Sequence, residues 1–278
     1  MPLIEGTLLA GRYRLKYTLG QGGMSTVYAA EDLRLGREVA IKLIRETQTS
    51  QLSERLFREA QAAARANHPG VVTVFAHGTD DDTGRDYLVM EKLEGEDLKT
   101  RLARLQHLPS QQVLTLARDV ADALAAVHAT GVLHRDLKPG NIYLARRGLR
   151  VDEVKLLDFG LAKHLDWQTL TEPGQLVGTI AYMAPEQLIA SGKVSARSDV
   201  YGLGVVMFEC LSGRLPHTAS SVPGLAAAIT GQDAPPLARV RLDVPAGMCE
   251  VVDRCLAREP SRRFASARAL CAALLALG

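Results

Sequence analysis

The apolar residues change their period near Leu93, and that switch limits the fold more than any other feature of the chain. Upstream, Tyr13–Leu19, Val27–Asp32 and Glu38–Ile44 are short β-branched or aromatic segments split by glycine-bearing turns, a pattern that predicts an antiparallel meander. Two more strands are expected around Val71–Ala76 and Tyr87–Glu91, joined by the turn-rich run Asp80-Asp81-Asp82-Thr83-Gly84. One helix interrupts them: Leu52, Leu56, Ala60, Ala63 and Ala64 recur at helical spacing up to Asn67-His68-Pro69, where the proline forbids continuation. Downstream, Val113, Leu116, Val120, Leu124 and Val127 form one apolar stripe between Ser110, an expected N-cap, and Gly131, an expected C-terminal glycine. Ser198–Leu211 is nearly all apolar and reads as a helix buried on every side, and Ser266 opens a last Ala/Leu-rich helix. Strands followed by helices predict an α+β chain: a small β-rich lobe with one main helix, a connector near Glu91–Glu94, and a larger, mainly helical lobe.

Composition narrows the function classes. With 33 Lys+Arg against 31 Asp+Glu the net charge is +2, which gives no electrostatic case for a nucleic-acid partner or a membrane surface. No apolar run approaches the roughly 18 residues that a membrane span needs. Four cysteines without a Cys-x-x-Cys pair suit reduced thiols in a cytoplasmic compartment better than a disulfide framework or a zinc site.

Three segments carry chemistry. The loop Gly20-Gln21-Gly22-Gly23-Met24-Ser25-Thr26-Val27 could let backbone N–H groups cradle phosphate oxygens. A dinucleotide-binding glycine motif should open a helix, yet Val27-Tyr28-Ala29-Ala30 continues as a strand, so the loop is read as a hairpin tip lying over a ligand. Val39-Ala40-Ile41-Lys42 ends on a lysine that could hold phosphates with Glu59 as its ion-pair partner, although either residue alone suits an ordinary surface. The third segment is His134-Arg135-Asp136-Leu137-Lys138-Pro139-Gly140-Asn141, too broken for a helix. There a carboxylate could orient a substrate hydroxyl and accept its proton, while an amide oxygen five residues on could ligate a metal. Asp158-Phe159-Gly160, ending the expected strand Val154–Leu157, offers a second metal-capable oxygen.

These motifs, in this order, make the chain resemble a bacterial eukaryotic-like (Hanks-type) serine/threonine protein kinase over essentially its whole length. The resemblance implies a bilobal α+β fold: an N-terminal extension over 1–12, an ATP-binding lobe over 13–93 and a catalytic and substrate-binding lobe over 94–278. It implies that Leu19, Gly20, Gly22, Gly23 and Val27 cover ATP, that Val27 and Ala40 sandwich the adenine, and that Lys42 binds the α/β-phosphates with Glu59 holding it. Met90 falls at the gatekeeper position, the backbones of Glu91 and Leu93 would read the adenine edge, and Asp97 falls where ribose hydroxyls are bound. Asp136 is implied as catalytic base, Lys138 as a charge neutraliser, and Asn141 and Asp158 as ligands of Mg²⁺, with Mn²⁺ as a substitute. Structural roles are implied for the pair Glu186 and Arg263 and for Asp199. Lys138, two residues after Asp136, and Thr179, a substrate-positioning residue after Gly178, match the serine/threonine type.

The segment Gln168–Gly174 is polar and turn-forming, so it should order only when modified. Thr171 and then Thr169 are the expected autophosphorylation sites, each able to take a bidentate pair from Arg135. The implied partners are proteins with Ser/Thr acceptors, and a second copy of the chain, as a homodimer, for autophosphorylation. A small-molecule kinase would lack Ala184-Pro185-Glu186, and a non-catalytic binding protein would typically have lost Lys42, Asp136 or Asp158. The implied place is the cytoplasm, either for a whole kinase or for the cytoplasmic domain of a larger membrane-anchored receptor.

Overall fold

A computed structural model describes residues 6–22, 25–44, 65–148, 150–158, 180–189 and 193–278. The described residues fall into two compact units, one within Met1–Ala64 and Val72–Glu94, the other within Arg65–Val71 and Gly95–Gly278.

The first unit is a six-stranded sheet in the order β1-β2-β3-β4-β6-β5, built from β1 (Leu8–Leu9), β2 (Tyr13–Gln21), β3 (Ser25–Asp32), β4 (Arg37–Ile44), β5 (Val74–Thr79) and β6 (Asp86–Glu91). Every neighbouring pair is antiparallel, as the meander pattern predicts. Alternation sends Tyr13, Leu15, Tyr28, Ala30, Val39, Ile41 and Val89 to one buried face, where Tyr13 and Tyr87 meet edge to face at 5.9 Å. The start of β2 is clamped to the end of β3 by a fork of Arg12 on buried Asp32, with Nε and Nη2 donating at 2.9 and 2.7 Å. The expected strand at Val71–Ala76 begins later, at Val74. Val71 itself belongs to the second unit, where it forms a parallel bridge with Leu156, because Leu156 N donates to Gly70 O and Val71 N turns back to His68 O. The helix expected over Leu52–Ala64 lies outside the described residues.

The second unit holds a three-stranded sheet, β7 (Gly95–Asp97), β8 (Ile142–Arg147) and β9 (Arg150–Leu156), and eight helices among its described residues. These are α1 (Leu98–Leu105), α2 (Ser110–Ala129), α3 (Pro185–Leu188), α4 (Ala196–Ser212), α5 (Val222–Gly231), α6 (Leu237–Val240), α7 (Ala246–Cys255) and α8 (Ala267–Leu275). The stripe on α2 is buried as its spacing requires, but the helix begins differently from expectation. Pro109 takes the cap position and its carbonyl accepts from Val113 N, so Ser110 becomes the first helical residue. Gly131 follows the end with φ of +82°, a conformation that glycine adopts without strain.

Helix α4 is buried on all sides. Ser195 caps it through Arg197 N, Ser198 Oγ accepts from Ser195 N, and Gly213 closes it in the left-handed region by donating to Glu209 O. Leu203, Val205, Val206, Phe208 and Leu211 vanish into the core, each such burial stabilising by about 1.5–3 kcal/mol. Gly204 sets the approach of α7: a Cβ there would lie 2.6 Å from Cys255 Cβ. Among the described residues no helix is long and apolar enough to cross a membrane.

Candidate active site

In the first unit the glycine loop is the tip of the β2–β3 hairpin. Gly20 pairs with Val27, Gln21 with Thr26, and Gly22 N donates to Ser25 O at 2.9 Å. A Cβ on Gly20 would meet nothing within 4 Å, and one on Gly22 only Ser25 O at 3.7 Å, so crowding does not demand these glycines; their bare backbone is what an oxyanion could approach. Gly23 lies outside the described residues, and Leu19 stands exposed beside the loop.

Behind the hairpin, β4 places Lys42 opposite Val27 on β3 and Ala40 opposite Met90 on β6. Lys42, Ala40 and Met90 are all buried. Glu59, the expected partner of Lys42, lies outside the described residues. At the end of β6, Glu91 N donates to Thr73 O at 2.9 Å and Thr73 N returns to Glu91 Oε1 at 2.8 Å. Any adenine contact by the Glu91 backbone therefore falls to its carbonyl. Leu93 is half-buried just beyond. In the second unit Asp97 Oδ1 accepts from Thr100 N at 2.7 Å and so caps α1, a structural task alongside the expected ribose contact.

The segment His134–Asn141 draws its polar groups inward. Lys138 Nζ lies 2.8 Å from Asp136 Oδ2, and Asn141 Nδ2 donates to Asp136 O and Oδ2 at 2.7 and 3.0 Å. The chain closes here as a 3₁₀ turn, Pro139–Asn141, with Asn141 N donating to Lys138 O. An amide whose nitrogen faces two oxygens presents its own oxygen elsewhere, which suits a hard cation. The residue before Asp158 is tied to the same turn, Leu157 N donating to Asn141 O at 2.9 Å, and Asp158 itself takes φ of +55°.

Asp199, at the start of α4, supports the segment from within. Its Oδ1 accepts from Arg135 N at 2.7 Å, and its Oδ2 from His134 N at 2.8 Å and His128 Nε2 at 2.7 Å. Burial pushes this carboxyl up, yet the hydrogen bond and charge of His128 and the Arg135 N–H hold it below the usual range. His134 is fully buried, burial drives its ring toward the neutral form, and its Nε2 lies 3.0 Å from Leu157 O.

Glu186 and Arg263 form the second buried assembly. Arg263 donates Nε to Ala257 O, Nη1 to Glu186 Oε1 and Arg197 O, and Nη2 to Glu186 Oε2 and Arg258 O, all between 2.7 and 3.0 Å. All five guanidinium hydrogens are thus used, and the group stacks on Tyr201 at 4.8 Å. Ser198 Oγ adds a 2.7 Å donor to Glu186. Thr169, Thr171 and Thr179 lie outside the described residues. Three contributors escaped the sequence reading: His128, Ser198, and Gln187, whose Nε2 donates to Arg135 O at 2.9 Å. None of them stands at a recognisable spacing from Asp136.

A β-rich unit with a glycine-bearing hairpin and a helical unit that fixes an Asp-Lys-Asn loop are the features of a protein-kinase type of catalytic domain. The sequence profile described as the protein kinase domain matches residues 13–275, and the chain belongs to that family. The serine/threonine-protein kinase PknA of Mycobacterium tuberculosis is 38% identical over 266 residues, covering 94% of this chain and 60% of the relative. PrkC of Bacillus subtilis is 34% identical over 267 residues, covering 95% of this chain and 40% of the relative. The crystal structure of the Mycobacterium tuberculosis PknI kinase domain superposes with a TM-score of 0.77 at 28% identity, covering 100% of both chains. The chain is therefore of the bacterial Hanks type and has the α+β kinase fold. It spans about 60% of the length of the first of these relatives.

Proposed function

We propose that the chain is an ATP-dependent serine/threonine protein kinase, transferring the γ-phosphoryl group of Mg-ATP to Ser or Thr hydroxyls of proteins. The observation that supports this best is the fixing of Asp136 by Lys138 and Asn141, with the backbone ahead of it bound to Asp199. Both side-chain contacts fall on Oδ2, so the acceptor hydroxyl is assigned to Oδ1, where Asp136 orients it and takes its proton. Lys138, already beside that carboxylate, offsets negative charge on the moving phosphoryl group, and Lys42 holds the α/β-phosphates under the backbone of Gly20 and Gly22. Asn141 and Asp158 would hold Mg²⁺, with Mn²⁺ as a substitute; the ion supplies neutralisation of phosphate charge. Little covalent chemistry is asked of the protein, so positioning dominates. Incubation with radiolabelled ATP, Mg²⁺ and a generic acceptor protein tests the reading: label on serine or threonine of the acceptor supports it, and no transfer refutes it.

Arg135 extends the proposal to control. Its Nε is buried without a hydrogen-bond partner among the described residues, which suits an anion ordered beside it. A phosphate on Thr171 or Thr169, added by a second copy of the chain, is that anion. Mass spectrometry after incubation with Mg-ATP should find phosphate on one or both, and Thr169→Ala with Thr171→Ala should lower activity markedly; a fully active sample unmodified at both overturns it. The four cysteines are free thiols, which suits the reducing cytoplasm as the place of action.

A further inference from the structure

We infer that Gln187 is a positioning residue whose amide ties the start of α3 to the carbonyl of Arg135, and so sets the plane of the peptide that carries Asp136. The inference rests on the kinase reading. Both ends of the amide are in use. Oε1 accepts from Ala184 N at 3.0 Å, and Nε2 donates to Arg135 O at 2.9 Å, reaching 52 residues back along the chain. Ala184 N can only donate and Arg135 O can only accept, so the amide has one usable orientation. The first contact is local. Ala184 is the cap of α3, and a side chain three places into a helix commonly reaches back to the N–H of its cap, a task glutamate performs as well as glutamine. The second contact selects between the two residue types. A carboxylate would set an oxygen against the Arg135 carbonyl, and an apolar chain of equal length would leave that carbonyl without this donor.

That donation falls where the backbone most needs it. Arg135 O and Asp136 N share one rigid peptide plane, so whatever holds the oxygen also orients the backbone of Asp136. The nitrogen of that plane has only a long contact, 3.4 Å to His134 Nδ1, against 2.9 Å for the oxygen. The residue is strained as well: Arg135 takes φ of +63°, where a non-glycine side chain stays only if its surroundings insist. Two groups from outside the loop grip it, Asp199 Oδ1 on its N–H at 2.7 Å and Gln187 on its carbonyl. Lys138 and Asn141 hold the Asp136 carboxylate, but they travel with the loop itself. Gln187 does not, and its mount is firm. The adjacent Glu186 is bound by Arg263 through both carboxylate oxygens and by Ser198 Oγ. Loss of the Nε2 donor should therefore slow the chemical step even where an oxygen at position 187 still caps α3. ATP affinity, assigned to residues of the first unit, should hold.

Two variants separate capping from positioning. Gln187→Glu keeps the shape and the oxygen on Ala184 N but loses the donor, and Gln187→Met keeps the length and loses both. Single-turnover transfer from Mg-ATP to a generic acceptor protein reports the chemical step, with each variant corrected for its folded fraction by thermal melting. The expected result is a transfer rate about tenfold or more lower in both variants, with Kd for ATP within about twofold of the parent. Hydrogen exchange gives a second readout: the Arg135 amide should exchange faster in both variants, and the Ala184 amide faster only in Gln187→Met. A residue that merely caps α3 would leave Gln187→Glu at the parent rate in both measurements. A parent transfer rate in either folded variant overturns the inference, as does unchanged Arg135 exchange in Gln187→Glu. If one variant does not fold, the other is judged against the parent by the same readouts. An inactive parent protein would sink the kinase reading instead, and exchange at Arg135 would still judge Gln187.

Discussion

Replacing Arg263 with methionine keeps a long unbranched side chain but removes the charge opposite Glu186 and the donors of three backbone carbonyls. The parent pair is out of solvent, with side-chain exposures of 0% for Arg263 and 9% for Glu186. Taking one partner from a buried ion pair costs about 3–5 kcal/mol, because the remaining charge has lost its compensation. Ser198 Oγ would be the one side-chain donor left on Glu186 among the described contacts. For a domain of this size each kcal/mol moves Tm by about 2–4 °C, so Arg263→Met should melt roughly 6–20 °C lower at pH 7. The sign with pH follows from the carboxyl. Burial pushes Glu186 up, but the hydrogen bonds of Arg263 and Ser198 and the charge of Arg263 hold it below its ordinary value. A depressed carboxyl contributes stability that is complete above its unfolded value of about 4.3 and is lost as pH falls through the folded one. Without Arg263, burial is left to dominate and the variant should favour a protonated Glu186. The Tm gap between parent and variant should therefore narrow as pH drops from about 6 to 4. Calorimetry across that range decides it, and 1 M NaCl should change the gap little because buried pairs are poorly screened. Pairing Arg263→Met with Glu186→Leu should recover part of the loss. A shift under about 2 °C, or a double variant no better than the single one, would refute the reasoning.

Other expectations follow from the same contacts. Asp136→Asn and Asp158→Asn should each remove most turnover with melting unchanged within a few degrees, and Lys42→Met should lower kcat more than ATP affinity; an unchanged kcat in either aspartate variant would count against its assigned role. Met90, buried between Ala40 on β4 and Val74 on β5, should on conversion to glycine admit ATP-competitive compounds with an added bulky group that the parent excludes, so equal inhibition of both proteins would remove Met90 from the pocket. Glu38, bonded first by Lys92 and then by Lys16, has its carboxyl held at about 2. Its stabilisation is complete above about 4.3 and lost as pH approaches 2, so the Tm difference between the parent and Glu38→Gln should shrink over that window; a difference independent of pH would show that the pair contributes nothing.

What the sequence made legible, and what it hid, divides along the range of the interactions. Period-two alternation announced β2, β3, β4 and β6 because each strand must send alternate residues to one buried face. The stripe on α2 and the unbroken apolar run on α4 announced helices for the equivalent reason. Local polar contacts were legible too: Asp136, Lys138 and Asn141 are within five residues of one another, and a broken, proline-bearing turn leaves them little room except to meet. Val71 lies outside the expected strand because its apolar character fits either partner, and the choice of Leu156 depends on the Gly70 carbonyl taking Leu156 N. Pro109 displaced Ser110 from the cap because a carbonyl suffices to accept Val113 N, and no side-chain hydroxyl is required.

The supporting layer was hidden for a different reason. Asp199 lies 64 and 65 residues from the amides it binds and 71 from His128, and no periodicity links positions that far apart. Resemblance supplied Asp199 and the Glu186–Arg263 pair, but it named no residue to orient Asp199, and a histidine in the last turn of a helix reads as a surface cation complementing the helix end. Only the placement of its two ring nitrogens, one donating to a buried carboxylate and one facing no partner among the described residues, distinguishes His128 from such a residue. The groups that touch substrate can be read from local spacing because their chemistry demands particular residue types close together. The groups that orient them are set by whichever side chain the fold delivers, and they become visible when every donor on a buried charge is counted.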